Sequence, residues 1–240
     1  MRRYLIVDDN VQFAENVAEI LRDEGCEVAI AADGPAALSQ LRTVHFDALI
    51  TDMKMPQMNG GQLLHQVRQV DPGLPAVLLT AYTADADLRQ AASEGLLAVL
   101  PKPVPIAQLL MLLRVARREG LVALVEDDRA LADNLCEALR ERGFTVVAAH
   151  DAKQAEELTG LKPFAALVDL RVPGSPSGEV LQRMRERFPG LPLLVISGYP
   201  DEMPQVSGTT LFAKPFDTQR VVDALERLHG QGAAASGSLA

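Results

Sequence analysis

The chain has 240 residues, with 23 Lys and Arg against 32 Asp and Glu, for a net charge of −9. Residues 1–119 carry eleven basic and fifteen acidic side chains and the remainder twelve and seventeen, so neither half offers the basic field that nucleic acid requires. No run approaches the ~18 apolar residues of a membrane span, and Cys26 and Cys136 are too few for a disulfide framework or metal cluster, so a reduced, cytoplasmic setting is predicted.

From the amino terminus, short apolar runs alternate with stretches of helical period. Strands are predicted at 4–7, 27–31, 47–51, 76–80 and 97–100. Between the first two, Val11, Ala14, Val17, Ala18 and Leu21 share one helical face; Leu63, Leu64 and Val67 mark a later helix. Gly25, Gly34, Gly60 and Gly95 punctuate the ends of these segments. Residues Ile106 to Arg118 read as the last helix of this half, whose terminal arginines complement its dipole. Gly120-Leu121 then starts a new strand without a Pro/Gly/Ser linker, which predicts a restricted orientation between the halves. Strands separated by helices imply parallel sheets covered on both faces. The expected domains are 1–119 and 120–230, followed by a small-residue tail, 231–240, expected to be disordered.

The second half repeats the first. Asp8-Asp9, Asp52, Thr80 and Lys102-Pro103 recur as Glu126-Asp127, Asp169, Ser197 and Lys214-Pro215, displaced by 112 to 118 positions. Each acid or hydroxyl ends an apolar run, where open parallel α/β sheets bind ligands. Three carboxylates that close call for a cation. Magnesium suits hard oxygen donors with positions left for water or phosphate. Asp52 and Asp169, central to their clusters, are the natural nucleophiles toward a phosphoryl group. Lys102 and Lys214, with the Thr80 and Ser197 hydroxyls, would bind its oxygens.

These residues carry a resemblance. Val7-Asp8-Asp9, Asp52-Met53-Lys54-Met55-Pro56 with Gly60, Thr80-Ala81 and Lys102-Pro103 resemble the response-regulator receiver domain. Val125-Glu126-Asp127, Asp169-Leu170-Arg171-Val172-Pro173 with Gly178, Ser197-Gly198 and Lys214-Pro215-Phe216 resemble it again. The resemblance implies two flavodoxin-like doubly wound (βα)5 domains of strand order 2-1-3-4-5. It implies phosphoryl uptake from a histidine kinase or phosphotransfer protein on Asp52 and Asp169, with Asp8, Asp9, Glu126, Asp127 and the Met53 and Leu170 carbonyls holding Mg2+. Such a chain is a phosphorelay component signalling through a downstream protein, not a conventional enzyme. It needs neither nucleic acid nor membrane, and a homodimer through receiver 1 is compatible. Two alternatives accompany this reading: a scaffold in which only Asp52 switches, and the receiver half of a longer regulator. A haloacid-dehalogenase-type phosphatase is disfavoured because Asp52-Met53-Lys54 lacks a second aspartate.

The copies also depart from the pattern. Val99 and Leu211 stand where receivers usually carry an aromatic residue, with Phe212 one place later. Thr80 to Lys102 spans 22 positions but Ser197 to Lys214 only 17, which predicts a fourth helix of at most a turn or two in the second half, and no use of the usual dimer face there. The loop from Asp52 to Gly60 is 8 positions, and that from Asp169 to Gly178 is 9. His45, His65, His150 and His229 read as surface residues, and Met53, Met55 and Met58 as loop packing.

Overall fold

A computed structural model describes residues 1–81, 91, 92, 94–199 and 209–236. The chain forms two compact units and passes from one to the other between Glu119 and Gly120. The first holds β1 (Arg3–Val7), α1 (Val11–Asp23), β2 (Glu27–Ala31), α2 (Gly34–Leu41), β3 (Ala48–Asp52), α3 (Gly60–Val70), β4 (Ala76–Thr80), β5 (Ala98–Pro101) and α4 (Ile106–Val115). The second holds β6 (Leu121–Val125), α5 (Arg129–Glu141), β7 (Thr145–Ala149), α6 (Ala152–Glu157), β8 (Ala165–Asp169), α7 (Glu179–Arg187), β9 (Leu193–Ser197), β10 (Thr209–Ala213) and α8 (Thr218–Ser236).

Each unit contains one five-stranded sheet, ordered β2-β1-β3-β4-β5 and β7-β6-β8-β9-β10. The predicted doubly wound order is thus found twice. Alternation along the strands explains why both faces are apolar. Leu5, Val7 and Leu49 pack with Leu38 of α2 and Leu63, Leu64 and Val67 of α3. Tyr4, Ile6 and Ile50 face the other way, against Ala14, Val17 and Leu21 of α1 and Leu109 and Leu113 of α4. The strand order reverses between β1 and β3 and between β6 and β8, and the acids lie at the carboxyl ends of those strands.

Helix starts are fixed locally. Asn10 accepts from Phe13 N–H, Asp33 from Ala36 N–H and Asp128 from Ala130 and Leu131 N–H, while Asn59 and Gln62 form a reciprocal capping box.

Three expectations meet the structure differently. The last helix of the first unit stops at Val115, because Ala116 (φ −50°, ψ 126°) leaves helical geometry. Arg118, read as a helix terminus, instead donates to Asp71 at 2.5 Å and to the Phe46 carbonyl. The tail expected to be disordered is helical as far as Ser236, since an established helix propagates cheaply through Ala233-Ala234-Ala235; 237–240 lie outside the described residues. The short fourth helix expected in the second half falls on 200–208, also outside them.

Candidate functional site

In the first unit, parallel pairing sets the acids side by side. Asp8 follows β1, anchored by its N–H to the Ala31 carbonyl at 3.2 Å, and Asp52 ends β3 in register with Leu79 of β4. Thr80 ends β4, and its carbonyl accepts the Lys102 N–H at 2.8 Å. Asp8, Asp52 and Thr80 are buried and Asp9 is exposed. Lys102 Nζ then reaches Asp8 Oδ2 and Asp52 Oδ1, both at 2.7 Å. The ammonium also lies 4.4 Å from the centre of the Phe13 ring. The remaining carboxylate oxygens accept main-chain N–H groups: Asp8 Oδ1 from Asn10 at 2.9 Å and Asp52 Oδ2 from Lys54 at 3.1 Å.

The second unit repeats the arrangement with one side chain lengthened. Glu126 is buried after β6, Asp169 ends β8 and Ser197 ends β9. Lys214 Nζ donates to Glu126 Oε1 at 2.9 Å, to Glu126 Oε2 at 2.8 Å and to Asp169 Oδ2 at 2.6 Å. Glu126 Oε1 also accepts the Asp128 N–H at 3.1 Å, and Asp169 Oδ1 the Arg171 N–H at 3.0 Å. Ser197 Oγ accepts from Tyr199 N–H at 2.9 Å.

Burial pushes the Asp8 and Glu126 carboxyls up, against the hydrogen bonds of Lys102 and Lys214 that pull them down. Burial lowers both lysines, but their carboxylate partners outweigh it and the net shift is upward. Acids held above their usual range beside a charged lysine are short of positive charge. In each cluster, Asp8/Asp9/Asp52 and Glu126/Asp127/Asp169, the ligand oxygens lie within 4.8 Å of one another. A hard divalent cation fits that donor set. The Met53 carbonyl accepts the Gly60 N–H at 2.9 Å, leaving a second lone pair.

The loops after Asp52 and Asp169 differ as their lengths do. After Asp52 the chain closes directly onto α3. A Cβ on Gly60 would stand 2.4 Å from the Asp52 carbonyl oxygen, so only glycine permits the approach. After Asp169 the extra residue forms a small turn. Val172 and Ser175 bridge antiparallel around Gly174 (φ 81°), and buried Ser175 accepts the Val180 N–H at the start of α7.

Sequence reasoning missed Phe13 and read His150 as a surface residue. The Phe13 ring lies beside the lysine only because α1 returns over the end of β1. His150 Nδ1 sits 2.9 Å from the Glu126 carbonyl oxygen, so this histidine is tied to the second site. His65 pairs with Glu94 at 2.8 Å and His229 stacks edge-on against Phe164. Val99 packs against the core, whereas Leu211 is half exposed and Phe212, on the opposite face of β10, is buried. Met53, Met55 and Met58, read as loop packing, go further: Met53 and Met55 are buried in the core and Met58 packs against it.

The sequence pattern of the response regulator receiver domain matches residues 4–114 and again 122–226. A response regulator receiver protein of Anaeromyxobacter sp. (strain Fw109-5) is 58% identical over 229 residues, covering 95% of this chain and 96% of its own. The DNA-binding response regulator MtrA of Mycolicibacterium paratuberculosis is 33% identical over 119 residues, 50% of this chain and 52% of the regulator, so the match spans about half of that protein. Among solved structures, a CheY-like receiver domain protein of Methanospirillum hungatei JF-1 is 32% identical, with 46% of this chain and 88% of that one covered and a TM-score of 0.44.

Proposed function

Because the chain belongs to the response regulator receiver domain family, through both of its halves, we propose that it is a tandem receiver of a two-component phosphorelay that takes phosphoryl groups on Asp52 and Asp169. The observation that carries this reading is the lysine bridge. Lys102 joins Asp8 to Asp52, and Lys214 joins Glu126 to Asp169, in two pockets built from equivalent strand ends.

In the step proposed, a carboxylate oxygen of Asp52 attacks the phosphorus of a phosphohistidine. A P–O bond forms and the P–N bond breaks; its electron pair leaves on the imidazole, which takes up a proton. Bound Mg2+, held by Asp8, Asp9 and Asp52 with the Met53 carbonyl, or by Glu126, Asp127 and Asp169 with that of Leu170, would offset the charge of three carboxylates and a phosphoryl group in one pocket. Lys102 and Lys214 are placed to follow the charge from carboxylate to phosphoryl oxygen. Thr80 and Ser197 supply hydroxyls to a further oxygen. Each reaction is on the chain's own residue, so the protein is a signalling component and not a conventional enzyme.

The message then passes by protein–protein contact, from a histidine kinase or phosphotransfer protein to a downstream protein. No helix among the described residues is long and apolar enough to cross a membrane. The scaffold reading, in which only Asp52 switches, has one observation in its favour: Lys214 is bound by both Glu126 oxygens as well as Asp169. Incubation with acetyl phosphate and Mg2+, followed by intact mass and peptide mapping of wild type, Asp52→Ala and Asp169→Ala, separates the two. Two added phosphoryl groups support the main reading and one, on Asp52, the scaffold. None would overturn both.

A further inference from the structure

The two clusters differ in how much of each buried acid is already engaged. A carboxylate has about four lone-pair sites. Asp8 has two occupied, by Asn10 N–H and by Lys102. Glu126 has three occupied, by Asp128 N–H and twice by Lys214. The added methylene lets both oxygens turn onto one ammonium, whose three hydrogen bonds equal its three donors. At the first site Lys102 instead divides between one oxygen of each acid, with the Phe13 ring beside it. A cation entering the second site therefore meets a single open lone pair on Glu126, on an oxygen that already holds the Lys214 ammonium. The first site leaves an open lone pair on each Asp8 oxygen.

Resting on the receiver reading above, we propose that the two clusters bind divalent cations unequally. The Asp8/Asp9/Asp52 cluster fills first, and the Glu126–Lys214 chelate weakens the other. At limiting magnesium Asp52 then becomes competent to take phosphate before Asp169 does. The two pockets form a graded pair in one chain.

The test is calorimetric titration of the full chain with Mg2+ alone, without phosphodonor, repeated with Mn2+ followed by electron paramagnetic resonance. Two classes of site are expected, separated on the order of ten-fold, the worth of one additional charge-assisted hydrogen bond to be broken. Asp9 and Asp127 are exposed, so their alanine variants keep the fold and assign the classes: Asp9→Ala should remove the tight class and Asp127→Ala the weak one. Glu126→Asp should bring the second site to within about three-fold of the first, about half the separation on a logarithmic scale. Asp8→Glu, the reciprocal change, should weaken the first and stands in if Glu126→Asp does not fold. Two equal sites, or a tight class lost with Asp127→Ala, would overturn the inequality while leaving the receiver reading intact. Absence of any ion at either cluster would overturn both.

Discussion

The Arg171 guanidinium lies 4.2 Å from the centre of the Tyr199 ring, and each residue stands two positions beyond a reactive group of the second site. Arg171 N–H is bonded to Asp169 Oδ1 and Tyr199 N–H to Ser197 Oγ. Two loops are thus tied to the site by their main chains and to each other by their side chains.

This stack joins the loops that follow β8 and β9, whose main-chain N–H groups bond Asp169 and Ser197. On the reading proposed above, its loss should loosen both loops and admit water to a phosphoryl group on Asp169. Tyr199→Ala is expected to shorten the lifetime of the Asp169 acyl phosphate about two- to five-fold, the population ratio that an exposed cation–π contact maintains. Tyr199→Phe keeps the ring and should keep the lifetime. Release of inorganic phosphate from protein loaded on Asp169 alone, in an Asp52→Ala background, measures both. Equal lifetimes for Ala and Phe would remove the stack from the account.

Gly60→Ala places a methyl group 2.4 Å from the Asp52 carbonyl oxygen and 2.8 Å from Leu78 Cδ1. The first contact is with backbone and cannot yield without moving Asp52. A loss of about 1–3 kcal/mol in urea unfolding of the first unit is expected, as for overpacked cores, together with slower phosphoryl uptake at Asp52. Uptake at Asp169 is expected to be unchanged, which serves as the internal control.

Arg68 is buried, and it donates to the Glu94, Pro72, Leu74 and Gly95 carbonyls at 2.7, 3.0, 2.7 and 2.7 Å. Burial pulls its pKa down to about 10, still far above neutrality. Arg68→Met would leave four acceptors without this donor and should cost about 3 kcal/mol or more. Its counterpart Arg185 donates to the Thr209 hydroxyl. Arg185→Met should cost about 1 kcal/mol. Urea midpoints of the two variants give the comparison.

Asp8 is held above the ordinary aspartate value of 3.8, chiefly by burial. An acid with a higher pKa folded than unfolded binds more protons in the folded state. Its contribution is then fully present below 3.8 and is lost as pH rises through the folded value. At neutral pH the charged carboxylate therefore opposes folding of the metal-free protein. Asp8→Asn is expected to raise the melting temperature in EDTA at pH 7, with the gap closing toward pH 3.8. Added Mg2+ should stabilise the first unit of the wild type and not the first unit of the variant, the second unit responding alike in both. A variant that melts lower than wild type at pH 7 would refute this.

Much of the site was legible because its residues end strands. An acid or hydroxyl closing a short apolar run, repeated at one domain length, marks the carboxyl edge of a parallel sheet before any coordinates exist. The strand limits followed from the same runs, with Ala48–Asp52 expected at 47–51 and Ala98–Pro101 at 97–100. Helix ends were less legible. The periodicity through Arg118 continues past Val115, but Ala116 leaves helical geometry and Arg118 instead reaches Asp71, 47 positions away.

The sequence by itself determined two receiver folds and the acids, hydroxyls and lysines at their strand ends, since alternation, period and strand-end polarity are local properties of the chain. The tertiary structure alone decided how those groups divide one another's bonding capacity. Lys102 shares itself between Asp8, 94 residues distant, and Asp52; Lys214 is taken by both oxygens of Glu126 as well as Asp169. One methylene separates the two outcomes. Which oxygen meets which ammonium depends on how the strand ends converge, and that is set by packing between residues the sequence keeps far apart.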